Sequence, residues 1–494
     1  MRNSITAFLL LVLATAAAGQ EPRPHSTVGG ESGEHHPSSD PADGPTTVDT
    51  HADDHGDGHG ESSGGHGHSS RLSDEVVPPR VDLVPDRPRP LLELGEGFLE
   101  SGPLEGDIVM PTGAVWRPGF LLFGTMRTGV EAIHRGDNDI AEWVNRLDLF
   151  GNLQLSGTER VLVGIRPFDA DGRFTGVNFE PDGDFVDAFN IRLTTLFFEG
   201  DLGELLPQLD PDDSGTLDYG FSVGRQPHVF QGGQMLADTM DSIMVTRNSL
   251  PLRGIGHLRV TGLFAWNDIN RGYNDEDHSA LMFGLLSEID ADLSTIEIDA
   301  VSTIADDDGG DSLNLGVSAT QRLGQLNTTF RVNSSTPFAG DTAFATGGTL
   351  LFTELSLTPH GTPDILYANA FLGIDEFSSA ARDQLAGGPL GSVGILFAAT
   401  GLGTIGSPLS NSARRAAGGS LGYQKIFAGG RQQLIFEAGG RVDTDGSNQA
   451  SVAGGARYQR AFGQHTILFL DAFGGWHEQN DELVGGRVEL NIKF

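Results

Sequence analysis

The sequence predicts an all-β chain whose strands close into a transmembrane antiparallel β-barrel, preceded by a disordered N-terminal segment. Three observations predict it. From Gly119 to Phe494, short runs alternate apolar and polar residues with period two and are separated by turns rich in Gly, Asp and Asn. The first residues carry an export pattern. No later stretch is long and apolar enough to be a membrane helix, so entry into hydrocarbon requires strands. There every backbone N–H and C=O must be paired, and a sheet achieves this only by closing on itself.

Composition narrows the function classes. The chain has 494 residues, 69 Gly, no Cys and a formal charge of -36. Without Cys there are no disulfides, thiolate metal sites, covalently attached c-type haem or lipid-anchored amino-terminal Cys. The acidic balance excludes nucleic acid as a partner, because phosphate binding needs a basic surface. A mean hydropathy of -0.17 excludes a helical membrane protein but suits a barrel, where half of each strand faces water.

Residues 1–18 read as a removed signal peptide: Arg2, an apolar run from Ala7 through Ala17, and Ala16 and Ala18 satisfying the A-x-A rule. The run falls short of the ~20 residues a helical span needs. Residues 19–90 are dominated by Gly, Ser, Pro, Asp and His, cannot bury a core, and are expected to be disordered. Within them His51, His55, His59, His66 and His68 are candidate ligands for Zn²⁺ or Cu²⁺, since neutral imidazole suits those ions. Gly56, Gly58 and Gly60 oppose the helix that would align the first three, and a polar spacer is the competing reading. Residues 91–118 form a short pre-barrel segment, with Leu91–Glu105 expected as an amphipathic turn or helix at the barrel mouth or partly inside it.

Residues 119–494 form the barrel, of about eighteen strands with sixteen the alternative. Leu147, Leu149, Leu153 and Leu155 alternate with Arg146, Asp148, Asn152 and Gln154. Ile191, Leu193 and Phe197 are assigned to one face, and Asn190, Arg192 and Thr194 to the other. Leu258, Val260, Phe264 and Trp266 oppose Arg259 and Thr261, and Leu434, Phe436, Ala438 and Val442 oppose Gln433, Glu437, Arg441 and Asp443. Tight turns at Ala428–Arg431 and Phe462–Gln464 alternate with longer polar loops at 274–278, 306–311 and 478–482. Gly387–Ser410 is Gly-rich and apolar, and reads either as strands or as an inward-folded loop.

The last strand carries the most specific signal. Val488, Leu490, Ile492 and Phe494 lie on one side, and Arg487, Glu489, Asn491 and Lys493 on the other. An amphipathic strand ending on Phe resembles the assembly signal of Gram-negative outer-membrane β-barrels, and with the preceding strands the chain resembles the porins. The resemblance implies an outer-membrane protein with a periplasmic N-terminal segment. Its implied partners are outer-membrane lipid, the barrel assembly machinery and small hydrophilic solutes or ions, with a homo-oligomer as a candidate assembly. It implies passive diffusion of those solutes, no required cofactor and no enzymatic activity.

If the apolar faces meet lipid, Arg146, Asp148, Arg166, Arg192, Arg259, Glu437, Arg441, Arg487 and Glu489 line the lumen as a filter for size and sign. The alternative reading is a metal-capturing or partner-binding barrel that uses the His-rich tether. A separate motif starts at Asp210: Asp210, Asp212, Ser214, Thr216 and Asp218 match the first positions of a calcium loop, with Gly215 at its sharp turn. Phe221 stands where the bidentate Glu belongs. Ca²⁺ in loop 210–218 is therefore a candidate ligand rather than a requirement. No nucleophile elbow, Walker motif, zinc-protease helix or dinucleotide fingerprint is present.

Overall fold

The computed structural model describes residues 89–95 and 108–494, apart from 171, 213, 252–255, 273, 307–308, 340–343, 447–448 and 479–480. The expected signal peptide and His tract lie outside the described residues. Eighteen strands form the barrel. They are β1 (Gly119–Arg135), β2 (Asn138–Gln154), β3 (Arg160–Ile165), β4 (Leu193–Asp201), β5 (Tyr219–Phe230) and β6 (Leu236–Arg247). Then come β7 (His257–Trp266), β8 (Leu281–Ala291), β9 (Ser294–Ile304), β10 (Asp311–Leu323), β11 (Leu326–Ala339) and β12 (Gly348–Leu357). The last six are β13 (Ile365–Asp375), β14 (Ala416–Phe427), β15 (Gln432–Asp443), β16 (Ala450–Phe462), β17 (Thr466–His477) and β18 (Asp481–Lys493). Each pairs antiparallel with the next. β18 returns to β1 from Leu483↔Arg135 to Lys493↔Thr125, so the sheet has no free edge along that seam.

The two ends of the barrel differ. At the end holding the first residue of β1 and the last of β18, two connections are of two residues, Asp292–Leu293 and Gly324–Gln325, and 428–431 and 463–465 are nearly as short. Asp292 and Gly324 take positive φ (54° and 66°), which matches the twist of tight hairpins. At the other end the connections 166–192, 267–280 and 376–415 are long, and the β5–β6 turn at 231–235 is packed inside. This asymmetry follows the alternation of tight turns and longer loops in the sequence.

The outward face is apolar: Leu285, Ile298, Val317, Phe330, Phe436 and Val452 are exposed, and Leu421 is 69% exposed. Phe264 stacks on Trp266 and touches Phe283 across β7 and β8. The core lies inside the ring. One cluster joins Leu350, Phe352, Phe371, Ile133 and Leu483 of the wall to Leu390, Leu396, Phe397 and Leu409 of the long 376–415 connection. A second joins Met235, Leu236, Met240, Ile269 and Met282 to Ala380 and Ala381. Gly387–Ser410 is thus an inward-folded loop rather than strands.

Two expectations are corrected. Leu92–Leu94 is a strand and not a turn or helix. It pairs with Phe120–Leu122 of β1, beyond the point where β18 stops, and so covers backbone groups that the seam leaves open. At β4 the register slips between Leu193 and Thr195, where a bulge takes up one residue. Thr195 and Phe197 therefore face inward (each 7% exposed) and Leu196 faces outward, while Asn190–Arg192 precede the strand. A single bulge inverts every later assignment on a period-two strand.

The seam is also tied at its end by Phe494, whose N–H donates to the Gly124 carbonyl at 3.0 Å and whose carbonyl accepts from Gly124 N–H at 2.7 Å. A Cβ on Gly124 would overlap the carbonyl oxygen of Asp148 on β2. Gly124→Val is expected to weaken closure by about 1–3 kcal/mol, read as loss of the compact unheated form on a gel. An unchanged heat-modifiable fraction would contradict this seam geometry.

Candidate functional site

From Gln384 to Ala413 the chain carries no ionisable side chain, although a fifth of the whole sequence (20%) is charged. The segment is irregular apart from one 3₁₀ turn, so its amide and carbonyl groups lack ladder partners. The barrel wall supplies them. Arg127 donates to the Thr400 and Gly401 carbonyls (3.1 Å each), and Arg146 donates to Gly401 (2.8 Å). Arg135 donates to Ser407 (3.1 Å), and Arg441 to Ser410 and Ser412 (2.8 and 2.9 Å). Two carboxylates hold the amides. Glu142 accepts from Thr404 N–H, the Thr404 hydroxyl and Ile405 N–H (2.6, 2.8 and 3.2 Å). Glu437 accepts from Ile395 and Leu396 N–H (2.9 and 3.1 Å) and from the Tyr367 hydroxyl. Phe397 meets Phe371 of β13 edge to face, 5.5 Å between centroids.

A second network lies on the same inner wall. Asp471 accepts from Arg457 (2.7 and 3.0 Å) and from Arg487 (2.7 and 3.1 Å). Glu489 binds Arg127 (2.6 and 3.1 Å) and lies 3.5 Å from Arg487. Asp148 joins Arg146 (2.8 Å) to Arg166 (2.7 Å), and Arg166 reaches Asp169 at 3.0 Å. These pairs are desolvated enough that removing one member strands the other.

The structure therefore brings Arg146, Asp148, Arg166, Glu437, Arg441, Arg487 and Glu489 together inside the barrel, but beneath a folded segment rather than along open water. Arg259 lies elsewhere on the inner wall, paired with Glu288 of β8. Arg192 sits in the connection before β4, 3.9 Å from Glu276. Val488, Leu490 and Ile492 point outward from β18. Residues 51–68 are outside the described residues. In loop 210–218, at the end of the barrel with the short turns, Asp210 accepts from Ser214 N–H and hydroxyl (3.0 and 2.7 Å) and from Thr216 N–H (3.2 Å). The Ser214 hydroxyl chiefly, with these amides, holds the Asp210 carboxyl below its usual range. Arg247 donates to the Gly215 carbonyl at 2.6 Å and to that of Asp218. Asp212 is exposed.

Period-two reading missed Arg127, Glu131, Arg135, Glu142, Arg457 and Asp471. The signal was available in the chemistry: each is a charge on the polar side of a strand, and all but Arg135 stand in register with another charge. It also missed a mixed group in the 267–280 connection, Asp268, Glu276 and His278, whose ligand atoms lie within 4.8 Å of one another. Arg225 binds Asp268 at 2.5 Å in that group. Above the segment remains a cavity of about 330 Å³, lined by Asn270, Arg271, Asn274, Ser378, Arg382 and Arg414 among others and by no carboxylate.

The sequence matches no protein-family model and no curated protein. Among the solved structures that are similar are two Pseudomonas proteins. A BenF-like porin from Pseudomonas fluorescens Pf-5 is 12% identical, with a TM-score of 0.51 over 76% of this chain and 98% of that one. OccK2 (OpdF) of Pseudomonas aeruginosa is 10% identical, with a TM-score of 0.50 over 76% of this chain and 97% of that one. The likeness is one of fold: the chain is a porin-like barrel of eighteen strands.

The polar grip on the segment is open to test. Glu437→Ala leaves the buried amides of Ile395 and Leu396 without an acceptor, at about 1–3 kcal/mol each. The folded variant is expected to be cut faster by chymotrypsin at Phe397, read by fragment mass. Equal cutting rates would mean that Glu437 does not hold the segment.

Proposed function

We propose that the chain is an outer-membrane channel through which small hydrophilic solutes or ions diffuse passively, the inward segment 384–413 setting its width. The observation that carries this reading is a closed barrel whose outer face is apolar and whose inner face is charged, with the segment and a cavity of about 330 Å³ sharing the interior. A ring of this strand number is wider than wall side chains alone fill. An apolar exterior and a sheet without an edge along its seam meet the requirements of hydrocarbon. The export pattern and the terminal amphipathic strand support outer-membrane placement, with barrel assembly machinery and lipid as partners and residues 19–90 on the periplasmic side.

The same cavity suggests a sign preference. Arg382 spends its guanidinium on carbonyls of Gly387 and Ala386 (2.7 and 2.9 Å) and of Gly233. These bonds fix its position; Asp238 and Asp383 act on it through space without bonding to it. Arg271 by contrast is paired with Asp277 at 3.0 Å. A fixed cation among amide and hydroxyl donors favours anions over cations of equal size.

Planar-bilayer recording tests both parts. Stepwise conductance is expected, with a reversal potential in a salt gradient that marks anion preference. Replacing residues 388–410 by a short Gly-Ser linker is expected to raise unit conductance about severalfold, because the width is set there. A folded, heat-modifiable barrel that never conducts would reject the channel reading.

A further inference from the structure

Beneath the segment, Glu131 of β1 stands directly opposite Glu142 of β2 in the sheet register. Both are buried, each 1% exposed. Like charges directly opposed on a sheet repel, and burial magnifies the repulsion. Among the described residues, no hydrogen-bond donor reaches either oxygen of Glu131. Its carboxyl lies instead against that of Glu142, and both abut Gly403 of the segment. Gly403 takes φ +73° there, and a Cβ would overlap the Glu131 carboxyl. The contact is therefore built for a glycine backbone laid flat on two carboxyl groups.

The charges around the pair offset it only in part. Arg487 of β18 is in register with Glu131 and acts on it through space, but it makes no hydrogen bond to either Glu131 oxygen; its bonds go to Asp471 at 2.7 Å and it approaches Glu489 at 3.5 Å. Glu489 adds a further negative charge on the same side. Across β2, the neighbour of Glu142 is Asn178 of the short strand Arg173–Glu180, which is neutral. The segment itself contributes no charge at all. A carboxylate that accepts nothing and lies against another carboxylate is completed by one proton. The Glu131 O–H then donates to Glu142, whose Oε1 already accepts the Thr404 and Ile405 donors.

We propose that Glu131 and Glu142 share a single proton and form an alkaline-sensitive latch on the segment at Gly403–Ile405. With the proton in place, Glu142 is held under the segment and the segment stays docked. When hydroxide removes it, the proton leaves as water and two carboxylates face each other in a buried site. The repulsion is relieved by lifting Gly403–Ile405 so that water reaches both groups, and the lumen widens. The effect on permeation rests on the channel reading above, whereas the latch does not.

Two measurements separate them. The chain has no native Cys, so Ser407→Cys gives a single reporter, buried in the segment next to Gly403–Ile405, for a charged thiol reagent on the folded barrel. Labelling is compared with that of the same reporter in a Glu131→Gln background, where the amide donates to Glu142 without a titrating proton. Labelling rates are divided by the thiolate fraction, measured in each background from thiolate absorbance, because the charge at residue 131 differs between the two. The ratio between the two is expected to climb as the pH is raised, by at most about tenfold per pH unit, the limit for release of one proton. Unit conductance of the unmodified barrel is expected to rise over the same range, and that of Glu131→Gln to stay flat. A flat labelling ratio overturns the latch. A climbing ratio in a barrel that conducts at no pH keeps the latch and rejects the channel.

Discussion

An irregular chain buried inside a barrel must find partners for its backbone, and that constraint shapes the whole interior. The segment 384–413 brings no charge of its own, so the charges of the wall are turned to its amides and carbonyls. Arginines take carbonyls and glutamates take amides. Hydrogen bonds to ionised groups are stronger than neutral ones, and they leave few wall charges free to attract ions nonspecifically. Glycines at the contacts let backbone approach backbone, as at Gly373, where a Cβ would overlap the Ala413 carbonyl. The apolar contacts of Leu396, Phe397 and Leu409 then exclude water from these bonds.

Much of the outer wall was legible in the sequence because hydrocarbon imposes one rule on every strand. Alternation in β2, β7, β15 and β18 points its apolar residues outward, as on a sheet with one dry face and one wet face. The interior obeys no such single rule. In β12, Leu350 and Phe352 are buried against the segment while Leu351 faces outward at 38% exposure. The run Leu350–Leu351–Phe352 breaks alternation because both faces are covered there, and a continuous apolar run is the mark of a strand buried on two sides. The long uncharged stretch before Ala413 is its counterpart. Together they point to an inward fold that neither shows alone.

What stayed hidden depends on partners distant in the chain. Charges such as Arg127 and Glu489 stand 362 positions apart and meet only because β1 and β18 are neighbours at the seam. A bulge near Thr194 is equally silent, since one extra residue leaves no trace in composition yet reverses the faces of β4. For loop 210–218 the spacing was legible but its contact with a distant arginine was not. Arg247, on the next hairpin arm, already bonds to carbonyls of that loop.

The same distances make the interior depend on closure. The segment leaves the wall between β13 and β14, yet its partners include Arg127, Arg135, Glu142 and Arg146 on β1 and β2 as well as Glu437 and Arg441 on β15. In an open sheet, β1–β2 and β15 are far apart, on opposite sides of the unjoined seam. Once β18 pairs with β1, they become near neighbours around one lumen. A row of charged residues in register crosses that seam: Glu142, Glu131, Arg487, Asp471 and Arg457 on five adjoining strands. The docking surface of the segment is thus a product of ring closure, since neither group of strands presents it alone. Arg127 serves both: it holds the segment at Thr400 and Gly401 and pairs with Glu489 across the seam, so the width of the lumen and the integrity of the wall share a side chain.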